Sequence, residues 1–119
     1  MANTFIVVSN ATMPDSAGTP DAMYTVPSST TTVVLGLILA NVHTAQVTVS
    51  VKLVSDTSGG GRTVANGTTF LLKDAPIPVG GSLEILAGNK VVLQDSDVLQ
   101  VDCSVADKVS ATLSIMEIT

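Results

Sequence analysis

The stretch TTVVLGLILANVHTAQVTVSVKLVS, from Thr31 to Ser55, decides the fold class. Residues 33–40 are apolar at every position except Gly36, and a short continuous apolar run predicts a strand buried on both faces. From Val47 to Leu53 apolar and polar residues alternate strictly, which predicts a strand with one face in solvent. Residues 41–45 between them are short and polar enough to turn the chain. The sequence therefore predicts a central β-hairpin.

Short β-branched segments separated by turn residues continue along the rest of the chain. They lie at residues 5–8, 23–26, 68–73, 82–86, 90–93, 98–105 and 109–118. No apolar repeat of 3.6 residues is long enough for a helix. Strands at this spacing predict an all-β, antiparallel β-sandwich that is jelly-roll-like.

Turn signals fix several expected connections. Asn66-Gly67 suits a type I′ turn and predicts a tight hairpin between residues 63–64 and 68–73. Ala87-Gly88-Asn89 predicts a tight turn between residues 82–86 and 90–93. Pro76 and Pro78 place residues 75–81 at a sheet edge or in a crossing connection, because proline cannot donate to a sheet ladder.

The chain divides into an extended N-terminal arm, residues 1–22, and a β-sandwich body, residues 23–119. Pro14, Gly18 and Pro20 interrupt the arm, whereas Phe5 to Val8 can form a short strand. The apolar alternation predicts that the core of the body is formed by Val33, Leu35, Leu37, Leu39, Val47, Val49, Val51, Leu53, Leu83, Ile85, Leu99, Val101, Leu113 and Ile115.

Composition narrows the class of function. The 119 residues fit one domain, and the net charge of −5 with five dispersed Lys and Arg argues against nucleic-acid binding. The apolar runs are too short for a membrane helix, and no secretory signal is evident at the N-terminus. Charged residues make up only 13% of the chain, which leaves little charge on a monomer's surface and favours a buried interface between copies.

Candidate catalytic and metal-binding residues are few. His43 is the only histidine and falls in the turn at 41–45, without a partner to make it a base. Asp95, Asp97 and Asp102 offer carboxylates to calcium but match no calcium-loop pattern, so a turn is the expectation and ion binding at Asp95 and Asp97 stays open. Cys103 lies on the predicted inner face and is expected to be a buried thiol. We therefore expect no enzyme activity, catalytic residue, cofactor or metal.

The segment from Ile77 to Thr119 resembles the C-terminal half of small virion structural proteins of tailed bacteriophages. The resemblance rests on Pro78, on Gly88-Asn89-Lys90 followed by Val91 to Leu93, on the acidic turn with Asp95 and Asp97, and on the closing Ser114 to Thr119. Tyr24-Thr25-Val26-Pro27 and the run from Thr32 to Leu37 extend it, so the similarity covers Tyr24 to the end.

This resemblance implies a non-enzymatic β-sandwich protein of the phage particle, assembled in the host cytoplasm. We expect a capsid decoration or cement protein that stabilises the head lattice. A neck, tail or fibre-attachment subunit is the first alternative, and a carbohydrate- or receptor-binding module the second. The expected partners are further copies of the chain, in a homotrimer, and capsid or other virion proteins. The expected contact residues are Phe5, Ile6, Val7, Val8, Met13 and Tyr24.

Overall fold

The computed structural model describes residues 2–86 and 88–119, which form nine β-strands. The strands are β1 (Asn3–Met13), β2 (Asp21–Thr25), β3 (Thr31–Asn41), β4 (Val47–Val54), β5 (Thr69–Ile77), β6 (Ser82–Glu84), β7 (Val91–Leu93), β8 (Val98–Cys103) and β9 (Val109–Ile118). The described part of the chain holds no helix long and apolar enough to cross a membrane. The predicted all-β class is confirmed.

Two antiparallel sheets pack face to face. The first sheet has the order β1-β9-β3-β6, and β7 also pairs with β3. The second sheet has the order β2-β8-β4-β5. Pairing is nested along the chain: β1 with β9, β2 with β8, β3 with β6, and β4 with β5. A doubled ribbon wound into two sheets in this way is a jelly roll, so the predicted β-sandwich is confirmed.

The predicted central hairpin is wrong, because β3 and β4 belong to different sheets. β3 lies between β9 and the short β6 and β7, whereas β4 lies between β8 and β5. The polar segment after Asn41 carries the chain across the sandwich instead of turning it back. The hydrophobic pattern along a strand reports on the burial of that strand, but it contains no information about which strand lies beside it.

A β-bulge at Leu35 corrects the prediction that β3 is buried on both faces. The pairing with β9 passes from Val34–Ile115 to Gly36–Ser114, which leaves Leu35 as the extra residue. Buried residues accordingly have even numbers before the bulge and odd numbers after it. Val33 and Leu35, both predicted for the core, are therefore only half-buried on the outer side of the sheet.

The other predicted core residues point between the sheets. Leu53, Leu83 and Ile85 are partly buried at the margin of the core, and the rest of these predicted core residues are fully buried. Residues outside the predicted core set complete the core: Met13, Met23, Val26, Val34, Ile77, Leu86, Leu93, Cys103, Val109 and Ala111.

The N-terminal residues belong to the sandwich and are not a separate arm. β1 pairs with β9 from Asn3 to Asn10 and again at Met13, whose side chain is fully buried. The Met13–Pro14 peptide bond is cis. Beyond it, the carbonyl of Pro14 accepts a hydrogen bond from the backbone N–H of Asp107. The proline and glycine residues between 14 and 20 shape the passage to the second sheet.

Two further turn predictions have different outcomes. Residues 63–64 form no strand, and Asn66 instead ties the loop after β4 together, bonding through its amide to Ser55 Oγ and through its N–H to the Thr57 carbonyl. The tight hairpin there is wrong. The prediction of an edge or crossing at residues 75–81 is confirmed in part, since Pro76 lies in β5, an edge strand. Ala87, in the turn predicted at 87–89, lies outside the described residues.

Candidate interaction surface: the outer face of the first sheet

A row of apolar side chains crosses four strands on the outer face of the first sheet. The register places Phe5 opposite Met116, Met116 opposite Val33, and Val33 opposite Val92. Directly opposed residues of an antiparallel sheet project to the same side and contact one another. Phe5 is 72% exposed and Val92 54% exposed, while Met116 and Val33 are half-buried between them. We call this set the apolar row.

More apolar surface adjoins the apolar row. Val7 is 66% exposed, one outward position further along β1, and the bulged Leu35 is half-buried. Ile38 is 46% exposed and lies opposite Glu84 of β6. Among the outward residues of the described strands of this sheet, Glu84 alone is charged. The outer face thus combines apolar side chains with Ser and Thr and carries almost no charge, which is typical of a protein-contact surface.

The outer face of the second sheet differs in chemistry. It carries Lys52, Lys73, Asp74 and Asp102. Two ammonium groups lie over the Phe70 ring, with Lys52 Nζ 5.1 Å and Lys73 Nζ 5.0 Å from its centroid. These cation–π contacts compete with any ligand that would stack on the Phe70 ring.

A cavity of about 160 Å³ opens on the second sheet near the ends of β4 and β8. Its polar lining includes Ser50, Asp74 and Asp102. The Ser50 hydroxyl accepts a hydrogen bond from the N–H of Asp74, and an Asp102 carboxylate oxygen accepts one from the N–H of Cys103. Across residues 2–86 and 88–119, no three His, Cys, Asp or Glu side chains come close enough to hold a metal ion. The Ser50 hydroxyl and the Asp102 carboxylate at the cavity thus accept hydrogen bonds from neighbouring backbone N–H groups.

Asp95 and Asp97 stabilise a turn that joins two parts of the chain. One Asp97 carboxylate oxygen accepts the N–H of Gln94 at 2.9 Å and the other accepts the Thr57 hydroxyl at 3.3 Å. Asp95 accepts the N–H of Ser29 at 2.8 Å and the Ser96 hydroxyl at 2.7 Å. These two hydrogen bonds, the one from Ser29 first, lower the pKa of Asp95. The turn interpretation is confirmed, and Asp102 lies apart from it on β8.

Cys103 lies in the core as the sequence predicts, whereas the connection that holds His43 crosses between the sheets and is not the predicted hairpin turn. His43 lies in the connection from β3 to β4, where its backbone N–H donates to the side-chain oxygen of Asn41 at 2.7 Å. Cys103 is 2% exposed and packs in the core.

The six predicted contact residues are not equivalent. Phe5 and Val7 project into solvent, while Ile6 and Val8 project toward the second sheet and are half-buried. Tyr24 bonds through its hydroxyl to Thr32 and Glu117, so it ties β2 to the first sheet. Met13 is buried, and a surface role for it is wrong, because the register shift at the end of β1 turns its side chain inward.

Sequence reasoning missed Val33, Leu35, Val92 and Met116 as surface residues. A usable signal existed for Met116: outward positions of β9 read Ser110, Thr112, Ser114 and then methionine, an apolar residue in a polar series. For Val92 no such signal existed, because the short run at 91–93 is apolar throughout.

The chain matches no family model, and no curated protein sequence matches it. One similar solved structure comes from a study of Bacillus endospore appendages, described as a novel family of disulfide-linked pili. The alignment covers 99% of this chain and 87% of that one, with 14% identity and a TM-score of 0.48. At that TM-score the likeness supports no conclusion about function.

Proposed function

We propose that this protein is a non-enzymatic structural subunit of a tailed-phage particle, and specifically a capsid decoration protein that stabilises the head lattice. The observation that carries the proposal is the outer face of the first sheet, with its apolar row and its single charged strand residue. Such a face favours repeated contacts with other proteins over contacts with ions or nucleic acid.

The dimensions of the molecule suit this role. Its two longest extents are 45 and 29 Å. A face of that size offers on the order of 1,000 Å², enough for the ~800 Å² that each partner buries in a standard interface. The sequence resemblance to phage virion proteins supports a place in a phage particle, and the outer face of the first sheet is the surface that would contact the neighbouring proteins.

The jelly roll itself does not discriminate between functions, since capsid, lectin and cupin domains share it. A carbohydrate-binding function has less support from the side chains. Phe5 and Phe70 lie on outer faces of opposite sheets, and the Tyr24 hydroxyl is engaged between the sheets. The aromatic residues therefore do not converge on one platform.

Labelling of purified particles tests the location. Antibody against this chain, viewed by electron microscopy on phage particles from the source culture, should cover the whole head. Label at one vertex or along the tail would instead support the neck, tail or fibre-attachment alternative. Particles that carry no label, with the protein confirmed in the same culture, would overturn the particle assignment.

A matched pair of variants tests the face. Val92 lies in the outer face and is 54% exposed, whereas Val64 lies in the loop after β4 and is 77% exposed. Val92→Lys should reduce occupancy on particles at least tenfold, because a lysine ammonium would be desolvated in the contact. Val64→Lys should bind as the wild type does. Equal binding by both variants would remove the outer face from the interface.

A further inference from the structure

Strand β1 leaves backbone hydrogen-bonding groups open along one whole edge of the first sheet. Ala2 and Thr119 exchange both backbone hydrogen bonds, at 3.2 and 3.0 Å. Bonded and non-bonded pairs alternate along an antiparallel ladder. The even-numbered residues from Ala2 to Val8 therefore bond to β9, and Asn3, Phe5, Val7 and Ser9 direct their N–H and C=O groups to the open edge.

The other sheet edges carry features that oppose the addition of a strand. β5 contains Pro76, a charged pair at Lys73 and Asp74, and two register shifts. β2 has five residues and a register shift, and β6 and β7 have three residues each. These are the devices by which proteins block edges. β1 pairs regularly from Asn3 to Asn10 and has neither proline nor charge in that span.

When two copies of β1 are aligned antiparallel about Ile6, side chains of compatible character face each other. In that register Asn3 lies opposite Ser9 of a second copy and Phe5 lies opposite Val7 of that copy. On the inner side, Ile6 meets Ile6 and Thr4 meets Val8. The outer pairs thus join polar with polar and aromatic with β-branched side chains, which are favourable cross-strand pairs. Shifting the register by one bonded position either way opposes Phe5 to Ser9 or Val7 to Asn3 and loses this match.

We propose that β1 pairs antiparallel with β1 of a second copy across a twofold axis at Ile6, so that the first sheet continues through a dimer. We call the contact between the two copies of β1 the seam. Although each chain carries a net charge of −5, β1 contributes no charged side chain to it. The pairing uses the open edge of each copy once. A ring of three would need a second open edge on every copy, and the described edges other than β1 are short, bulged or charged.

The size of the seam sets the expected affinity. Seven paired residues span about 24 Å at ~3.4 Å per residue. The sandwich is 24 Å in its shortest extent. The seam therefore covers at most about 600 Å² per copy, below the ~800 Å² of standard interfaces. We expect a dimer that dissociates on dilution.

In the proposed function, β1 would be the surface through which copies of the protein bind one another. The biological role of this dimer rests on the proposed function. Its tests use the isolated full chain, so they succeed or fail independently of particle binding. A dimer that binds no particle would overturn the proposed function alone, and a monomer that binds particles would overturn the pairing alone.

Sedimentation equilibrium over a thousandfold concentration range gives the first measurement. The wild type should pass from monomer to dimer, and Val7→Pro should weaken dimerisation at least tenfold. The proline removes an N–H that faces the open edge and no bond to β9. A wild type that stays monomeric, a trimer, or an undiminished dimer of Val7→Pro at an unchanged thermal midpoint would each overturn the pairing.

Cross-linking gives the second measurement and does not depend on the proline variant. Ile6 meets its own copy in a non-bonded pair, whose Cα atoms lie ~4.5 Å apart, within the range that a disulfide bridges. Ile6→Cys should form disulfide-linked dimers at least tenfold faster than the control Val92→Cys, with Cys103 buried in both. Equal rates, or faster linking of Val92→Cys, would overturn the pairing.

Discussion

The two sheets share one core but differ in what they show to solvent. The first sheet presents the apolar row and an open edge at β1. The second presents lysine and aspartate side chains, an aromatic ring in contact with two ammonium groups, and an edge strand with proline. The inner faces of both sheets are constrained by packing, whereas the outer faces are free to differ. This difference is the reason why the proposed contact face and the proposed strand pairing are both assigned to the first sheet.

The largest effect should come from removing the open-edge strand, because it is also half of the β1–β9 ladder. Deleting residues 2–13 should abolish the cooperative melt or lower its midpoint by tens of degrees. The loss of β1 strips the bonds from β9 and uncovers Leu113 and Ile115, in a domain of only ~5–15 kcal/mol stability. Thermal unfolding by circular dichroism measures this. A truncated chain that melts near the full-length midpoint would make β1 a dispensable attachment after all.

Two substitutions within β9 separate the inner from the outer face. Leu113 is fully buried, and Leu113→Ala should cost about 3 kcal/mol by leaving a cavity. Met116→Ala, on the outer face, should change the free energy of unfolding by less than ~0.5 kcal/mol. Urea denaturation of both variants, at protein concentrations too low for dimerisation, provides the comparison. Equal costs would mean that the outer face is packed as tightly as the core.

Asn41 joins the sheets where the chain crosses between them. Its two side-chain N–H groups are shared among the carbonyl oxygens of Ala45, Ile77 and Pro78, which lie 2.9–3.2 Å from Nδ2, and its side-chain oxygen accepts the N–H of His43. Asn41→Ala should cost about 2 kcal/mol, because it leaves buried carbonyl groups unpaired. The midpoint in urea is the measurement. An exposed amide such as Asn89 provides the control, and Asn89→Ala should leave the midpoint within error.

Tyr24 provides a smaller polar tie between the sheets. Tyr24→Phe should cost about 1 kcal/mol through the lost hydrogen bonds to Thr32 and Glu117. Burial, followed by the hydrogen bond to Glu117, raises the pKa of Tyr24 from 10.0 to about 12. The stabilisation is therefore complete below pH 10 and is lost as pH rises toward 12.

Because Tyr24 is the only tyrosine and the chain has no tryptophan, absorbance near 295 nm during an alkaline titration reports on this group alone. An ordinary pKa near 10 in the folded protein would show that the tie does not form.

The sequence alone determined the β class, the sandwich and most of the core. Strict alternation from Val47 to Leu53 and from Val109 to Ile115 marks one buried face on each strand, and that inference uses only neighbouring positions. The edge position of Pro76 and the burial of Cys103 follow from equally local chemistry. Of the predicted contact residues, Phe5 and Val7 lie exposed on the outer face of the first sheet.

Only the tertiary structure decided which strands are neighbours. β3 and β4 are adjacent in sequence yet lie in different sheets, while β1 and β9, at opposite ends of the chain, are paired. Sheet pairing depends on long-range packing of whole faces, which no local pattern encodes. The bulge at Leu35 has the same cause: a uniformly apolar run hides the change of phase that turns Val33 outward and Leu37 inward. The apolar row and the open edge exist only because that packing brings four distant segments into register.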